Sequence, residues 1–574
     1  MDTSAIQAGE GAEGEAAFFA SQLRLDGEHK LATAQARSRI LMAMAAVVIA
    51  YGVIAGRLAW FAFQEPGALP PAGPADQAIA ARRPDLLDRN GLVLATDINT
   101  ASLYAEPRRI GDVDDTIERL AKALPDLDAA DTWRKLKSKA GFVWLKRELT
   151  PEQQSRILSL GIPGIGFRQE TRRFYPKGEA AAHIVGHVNI DNDGIAGIEK
   201  HLDDRGLRDL RRSGLATGKA PEPVRLSIDL RVQHFVRDAL EKGMDRYRAV
   251  AAGGVVLDVA TGEILAMASL PDYDPNRPVD ALKKDRLNRM TAGAFEMGST
   301  FKTFTVAMAL DSGRVAMKDS FDATSAIHIG GHRIEDFHGK KRVLSVPEVF
   351  IYSSNIGAAK MADAVGVEGH REFLHRIGLL DRMAFELPEI AAPSEPAEWK
   401  KIHSVTVSFG HGVTTTPLQT AVAAAALMNG GLLIPPTLLP RSREDAARIA
   451  RVVVRPETSA AMRQLMRLNV EKGSGTRAEV AGYRVGGKTG TAEKVVRGRY
   501  SAEKRFNAFL AAFPIDAPRY VVLVIIDEPK PEKEDAGATA GANAAVMVAD
   551  IIRRAAPLLG VEPVFDEAPA LVSR

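Results

Sequence analysis

The chain has 574 residues, 46% hydrophobic and 26% charged, a near-average globular composition that excludes wholesale disorder and leaves room for several domains. Lys and Arg number 75 against 72 Asp and Glu, a net charge of +3, too balanced for a protein whose main partner is nucleic acid. There is no cysteine, which excludes disulfides, thiol nucleophiles and Cys-ligated metals together.

Residues 1–39 are polar and irregular and read as a cytoplasmic tail. Residues 40–63 are apolar apart from Arg57 near one end, where its stem can snorkel. As a helix this run reaches about 36 Å, enough for a hydrocarbon core of about 30 Å. Trp60, Phe61 and Phe63 sit at the same end, as an interfacial belt would. Arg24, Lys30, Arg37 and Arg39 precede the run, and residues 64–81 hold no Lys or Arg. The positive-inside rule therefore predicts a single-pass transmembrane helix with the N-terminus in the cytoplasm and the rest outside. A buried core helix seldom runs this long without a polar face. The Ala78-Ile79-Ala80 triplet resembles a signal-peptide cleavage site, but it lies well beyond the apolar run. Residues 64–81 carry prolines at 66, 70, 71 and 74 and read as a semi-extended spacer.

From Arg82 the chain reads as globular. Arg89-Asn90-Gly91 signals a turn, residues 114–141 a helical region, and Thr150 to Leu160 a short helix behind a Thr-Pro start. No catalytic grouping stands out in residues 82–224, which read as a structural or docking module. Beyond 225, an amphipathic helix capped by Asp229 precedes a β-hairpin at residues 253–268, turning at Thr261-Gly262. Residues 506–513 and 520–527 form a second hairpin, and helices are predicted over 301–312, 416–428, 456–472 and 541–556. Strands at both ends with helices between predict an α+β domain, one central antiparallel sheet flanked by helices, over residues 225–560. Residues 561–574 read as a C-terminal tail.

Three short motifs carry chemistry. In Ser299-Thr300-Phe301-Lys302 a helical start places the lysine amine one turn from the serine hydroxyl, where a deprotonated amine can act as base. Ser501 and Lys504 repeat that spacing in a charged segment expected to be a loop. Ser353-Ser354-Asn355 offers a hydroxyl and an amide two residues apart, although an Asx or Ser turn has the same pattern. Gly486-Gly487-Lys488-Thr489-Gly490-Thr491 joins a cation and two hydroxyls to glycines that admit a close backbone, a fit for a carboxylate. Residues 482–489 also match the spacing of a phosphate-binding loop, but no strong apolar strand precedes them and no helix follows.

The order S-x-x-K, S-x-N, K-T-G is that of penicillin-binding proteins and class A β-lactamases. On these residues the chain resembles a class B penicillin-binding protein, a peptidoglycan D,D-transpeptidase, most similar to the division-specific (FtsI-type) branch. Asp88-Arg89-Asn90-Gly91, Arg172-Arg173-Phe174-Tyr175-Pro176 and Gly194-Ile195-Ala196-Gly197-Ile198-Glu199 resemble the family's pedestal, a dimerisation-type domain placed at 82–224. Ser227-Ile228-Asp229 and Gln233 resemble the start of its transpeptidase domain, and Ser408-Phe409-Gly410-His411-Gly412 with Thr416-Pro417-Leu418-Gln419 resembles the division branch. Met297 stands where many members have proline.

The resemblance implies that Ser299 is the nucleophile, Lys302 its base and Ser353 a proton relay. Asn355 would hold the donor peptide, and Lys488, Thr489, Gly490 and Thr491 its terminal carboxylate, with the backbone N–H groups of Ser299 and Thr491 as oxyanion hole. It implies no metal or diffusible cofactor. The implied substrates are peptidoglycan stem peptides, a D-Ala-D-Ala donor and an amine acceptor, with β-lactams as inhibitors. An FtsW-type glycan polymerase and other divisome membrane proteins are the implied partners, and nucleic acid is not one. The implied location is the bacterial inner membrane, with the catalytic domain periplasmic. A bifunctional enzyme would need a glycosyltransferase domain for which residues 64–224 are too short. A membrane-anchored D,D-carboxypeptidase or an inactive β-lactam receptor shares the motifs and is the alternative.

Overall fold

The computed structural model describes residue 39 and residues 41–56, 82–209, 221–496, 498–532 and 537–565. Most of the expected tail at 1–39, the spacer at 64–81, the end of the apolar run and residues 566–574 lie outside them. Residues 41–56 are helical and exposed along their length. Among the described residues no helix is long and apolar enough to cross a membrane.

The N-terminal module is built on one long strand. Leu86–Leu87 (β1) lies antiparallel to Val93–Ala105 (β2), which also pairs antiparallel with Val143–Leu149 (β3) and Ile165–Phe174 (β4); Val224–Arg225 (β5) joins β1 in parallel. The turn after β1 forms because Asp88 Oδ1 accepts from the N–H groups of Asn90 and Leu92, both at 2.8 Å, and Gly91 takes the left-handed φ of +87°. The region expected to be helical at 114–141 is two helices, Val113–Ala123 and Ala129–Leu136. Pro125 lies between them and Asp128 caps the second by accepting from Asp131 N. Thr150 and Gln153 form a capping box on Pro151–Ser159. These helices close a small core of Leu103, Leu120, Leu136, Leu145 and Ile157.

Two of the three pedestal-like motifs meet in a buried ion cluster. Glu199 binds Arg83 Nε at 2.7 Å and Arg173 Nε at 2.6 Å; Asp203 and Asp97 take the remaining charges at 2.8 and 3.1 Å. Burial opposes the Arg173 charge, but Glu199 and Asp97 outweigh it and its proton affinity rises.

The larger module begins with Leu230–Tyr247 (α1), capped by Asp229. Its chain then runs through Ala251–Asp258 (β6), Ile264–Leu270 (β7), Lys302–Asp311 (α2), Asn355–Val365 (α3), Pro417–Met428 (α4), Pro456–Lys472 (α5), Gly486–Val496 (β8), Arg499–Phe513 (β9), Tyr520–Asp527 (β10) and Ala544–Leu558 (α6). The five strands form one antiparallel sheet in the order β8-β9-β10-β6-β7. In β10, Val521, Leu523 and Ile525 face one hydrophobic cluster with Phe301, Phe304 and Ala421, while Val522, Val524 and Ile526 face the other with Val236, Leu240, Val548 and Ile551. Both faces are covered, so β10 is apolar without alternation. Each such Val, Leu or Ile contributes roughly 1.5–3 kcal/mol by leaving water. Every residue of α4 is buried, which makes it the central helix beneath the sheet. Between α2 and α3 lies a lobe of short strands, Ser320–Asp322 with Val343–Ser345 and Ile327–Ile329 with His332–Ile334.

Candidate active site

Ser299 sits in the 3₁₀ turn Gly298–Phe301, which runs directly into α2, so Lys302 is the first residue of that helix. The edge strand β8 lies on this turn, and glycines make the approach possible. A Cβ on Gly490 would stand 2.6 Å from Met297 O and from Thr300 Cγ2, and one on Gly298 would stand 2.7 Å from Thr491 O. Gly298 has φ +52° and Gly410 φ +85°, and a Cβ on Gly410 would come 2.1 Å from Gly298 O. Gly490 of the third motif and Gly410 of the Ser-Phe-Gly-His-Gly motif therefore pack against the turn that bears Ser299.

Lys302 Nζ lies 2.9 Å from Ser299 Oγ, 2.6 Å from Ser353 O, 3.1 Å from Ser353 Oγ and 2.7 Å from Asn355 Oδ1. Lys488 Nζ donates to Ser353 Oγ at 3.0 Å and to Thr489 O at 3.1 Å. The Ser353 hydroxyl thus bridges two buried amines. It is carried on a left-handed residue, φ +56°, just before Ser354 caps α3 by accepting from Gly357 N. Burial lowers the Lys302 pKa to about 7. Burial first, and the neighbouring Lys302 second, push Lys488 well below the ordinary lysine value.

Thr489 Oγ1 is 2.7 Å from Ser474 Oγ, and Thr491 Oγ1 accepts from Ala540 N at 3.2 Å. Ser299, Lys302, Ser353, Asn355, Lys488 and Thr489 are thus joined by hydrogen bonds, with Gly490 and Thr491 packed on the Ser299 turn. Ser501 and Lys504 do not form a second such site. They lie in β9, not in a loop, where residues three apart face opposite sides of a strand. Lys504 instead pairs with Glu528 at 3.2 Å. The phosphate-loop spacing at 482–489 runs into an edge strand with no helix after it.

Several neighbours escape sequence reasoning. Ser474 stands in a Gly-Ser-Gly turn with no motif. Glu296 Oε1 accepts from Gly412 N at 2.8 Å and from the Tyr500 hydroxyl at 3.1 Å, tying the loop before Ser299 to the β8–β9 hairpin. His411 packs edge-on against Tyr500, and burial, then the charge of Lys302, lowers its pKa to about 4, so it is neutral at pH 7.

The family profile described as "Penicillin binding protein transpeptidase domain" matches residues 252–553, and "Penicillin-binding Protein dimerisation domain" matches residues 78–211. A probable peptidoglycan D,D-transpeptidase FtsI of Caulobacter vibrioides is 41% identical over 504 residues, 85% of this chain and 83% of the relative. A probable peptidoglycan D,D-transpeptidase PenA of Neisseria gonorrhoeae is 35% identical, covering 81% and 83%. The peptidoglycan D,D-transpeptidase FtsI of Escherichia coli K12 is 31% identical over 559 residues, 92% of both chains.

Proposed function

The chain belongs to the class B penicillin-binding proteins of the FtsI type, and we propose from its site how it works as a peptidoglycan D,D-transpeptidase of cell division. The observation that carries the reading is the 2.9 Å contact between Ser299 Oγ and an amine whose pKa is lowered to about 7. Neutral Lys302 takes the Ser299 hydroxyl proton as Oγ attacks the carbonyl carbon of the donor's penultimate D-alanine. Backbone N–H groups of Ser299 and Thr491 hold the developing oxyanion. The C–N bond then breaks, and the proton held by Lys302 passes through Ser353 Oγ to the departing amine of the terminal D-alanine. An acceptor amine attacks the ester, returns a proton by the same route and leaves Ser299 free and the cross-link formed. Lys488 with Thr489 and Thr491 binds the donor's terminal carboxylate. The second N–H of Asn355 is directed to the donor peptide.

The apolar run at 40–63 anchors the enzyme in the inner membrane with the N-terminus cytoplasmic and the catalytic domain periplasmic. Residues 64–81 space it, residues 82–224 form the pedestal and residues 225–560 the transpeptidase domain. FtsW-type polymerases and other divisome membrane proteins are the partners in this reading.

Penicillin is the direct test. Intact mass should rise by one antibiotic and peptide mapping should place it on Ser299. Ser299→Ala should abolish the adduct while Ser501→Ala keeps it. A D-Ala-D-Ala donor with an amine acceptor should yield cross-linked product. An adduct at Ser501, or hydrolysis alone, would overturn the reading.

A further inference from the structure

The lobe between α2 and α3 touches three consecutive residues, the last two of the second motif and the one after it. Asp336 Oδ2 accepts from the Ser354 hydroxyl at 2.8 Å, and Asp336 Oδ1 accepts from Ile356 N at 3.0 Å. Between them, the Asn355 Nδ2 amide N–H donates to Glu335 O at 2.9 Å. A carbonyl oxygen only accepts, so this contact turns the amide and leaves Asn355 Oδ1 facing Lys302 at 2.7 Å. Oδ1 likewise only accepts, so it takes an N–H of Lys302 and cannot compete with Ser299 to give a proton to that amine.

We propose that Asp336 is a positioning residue for the acylation step, whose carboxylate clamps the start of α3 so that Asn355 Oδ1 and the Ser353 backbone fix the direction in which Lys302 presents its lone pair to Ser299. The inference rests on the reading of Lys302 as the base. Asp336 also acts on Lys302 by charge. The groups facing the amine are the Ser299 hydroxyl from the turn, Ser353 and Asn355 from the start of α3, Lys488 from β8, His411 from the loop before α4, and Asp336 from the lobe. Ser299, Ser353 and Asn355 are neutral, His411 is held neutral, and Lys488 is a second amine itself pushed well below the ordinary lysine value by burial and then by Lys302. Asp336 is the acid that favours the proton, offsetting part of the burial. Glu335, next to it, is occupied with Arg333 at 2.9 Å.

The test is the pH dependence of acylation of the full-length chain by a fluorescent penicillin, compared for the parent, Asp336→Asn, Asp336→Glu and Asp363→Asn. Asp363 is an exposed acid on α3 that pairs with Lys401, and its replacement serves as the control. Lys302 works as base only when neutral, so the rate rises with pH through its pKa. Asp336→Asn removes the charge and one well-placed acceptor. Its acid limb should move to lower pH, and its plateau should fall roughly ten-fold because the clamp is loosened. Asp336→Glu should restore the limb, and Asp363→Asn should match the parent in both. A parent-like profile for Asp336→Asn would overturn the inference, and so would a fallen plateau with an unmoved limb, which marks a merely structural acid. A parent chain that penicillin does not acylate at Ser299 would instead overturn the functional reading beneath it.

Discussion

Replacing Gly490 with alanine tests whether the third motif shapes the Ser299 turn as well as the proposed carboxylate site. The added Cβ would stand 2.6 Å from both Met297 O and Thr300 Cγ2 and 3.2 Å from Thr300 N. Neither side can yield easily. Met297 O is backbone, and the Thr300 rotamer is held by its hydroxyl's 2.7 Å hydrogen bond to that same oxygen. Ordinary contact begins at 3.4 Å, so β8 or the Ser299 turn must retreat by about 0.8 Å. Overpacking of this kind costs about 1–3 kcal/mol of stability. A misplacement near 1 Å at a reacting group costs on the order of 10²-fold in rate. Gly490→Ala should therefore fold, melt a few degrees lower and lose roughly 10- to 100-fold in the second-order rate of acylation by a fluorescent penicillin, read by stopped flow. Gly141→Ala, whose Cβ would meet nothing within 4 Å, should acylate like the parent. A parent-like rate for Gly490→Ala, or an equal loss in Gly141→Ala, would refute the packing argument.

Acylation should follow the protonation of Lys302. Its pKa of about 7 means the rate climbs about ten-fold per pH unit below 7 and levels off above it; a limb near 10 would show that burial does not neutralise the amine. Penicillin binding to Ser299→Ala at neutral pH should take up a proton, because the arriving carboxylate restores the proton affinity that burial and Lys302 remove from Lys488. Calorimetry in buffers of different ionisation heat should give different binding heats, and identical heats would count against it. Lys488→Gln should abolish that uptake and slow acylation by roughly 10²-fold or more. Glu199→Ala should leave Arg83 and Arg173 buried without their shared carboxylate and cost about 3–5 kcal/mol, seen as a lower melting temperature, while an unchanged melt would contradict the buried cluster.

The sheet was legible because its strands are long and covered on both faces: Tyr520 to Asp527 can only be a buried strand, and the Thr-Pro start before Glu152 can hardly be anything but a helix cap. The lobe at 320–345 was not, since its strands are three residues long and carry few buried apolar side chains. The Ser501 segment was read as a loop because its charges mask a strand, β9, whose Lys504 pairs with Glu528 just beyond β10, as Lys494 of β8 also does. The candidate site's cluster was legible because each motif keeps its polar groups within a few residues. Ser474, Glu335 and Asp336 were not. They reach the site through a hydroxyl, a carbonyl and a clamp on backbone N–H, and such contacts leave no spacing in the sequence.

In the proposed mechanism, counting protons shows how Ser299 would be readied for attack. Lys302 Nζ faces four oxygens, of which Ser353 O and Asn355 Oδ1 can only accept. A neutral amine has two N–H groups and one lone pair. The two obligate acceptors consume both N–H groups, and the lone pair is left for a hydroxyl. Ser353 Oγ already receives an N–H from Lys488, and at 3.1 Å it is the longer contact, while Ser299 Oγ stands at 2.9 Å. The Ser299 proton is therefore aimed at the lone pair before substrate arrives. Once Lys302 holds that proton it has three N–H groups, and the third has Ser353 Oγ in reach as its next acceptor. The hydroxyl between the two amines can then pass a proton toward a leaving nitrogen held near Lys488. In this mechanism burial neutralises the amine before attack, and the same contacts that aim its lone pair at Ser299 supply the exit for its proton afterwards.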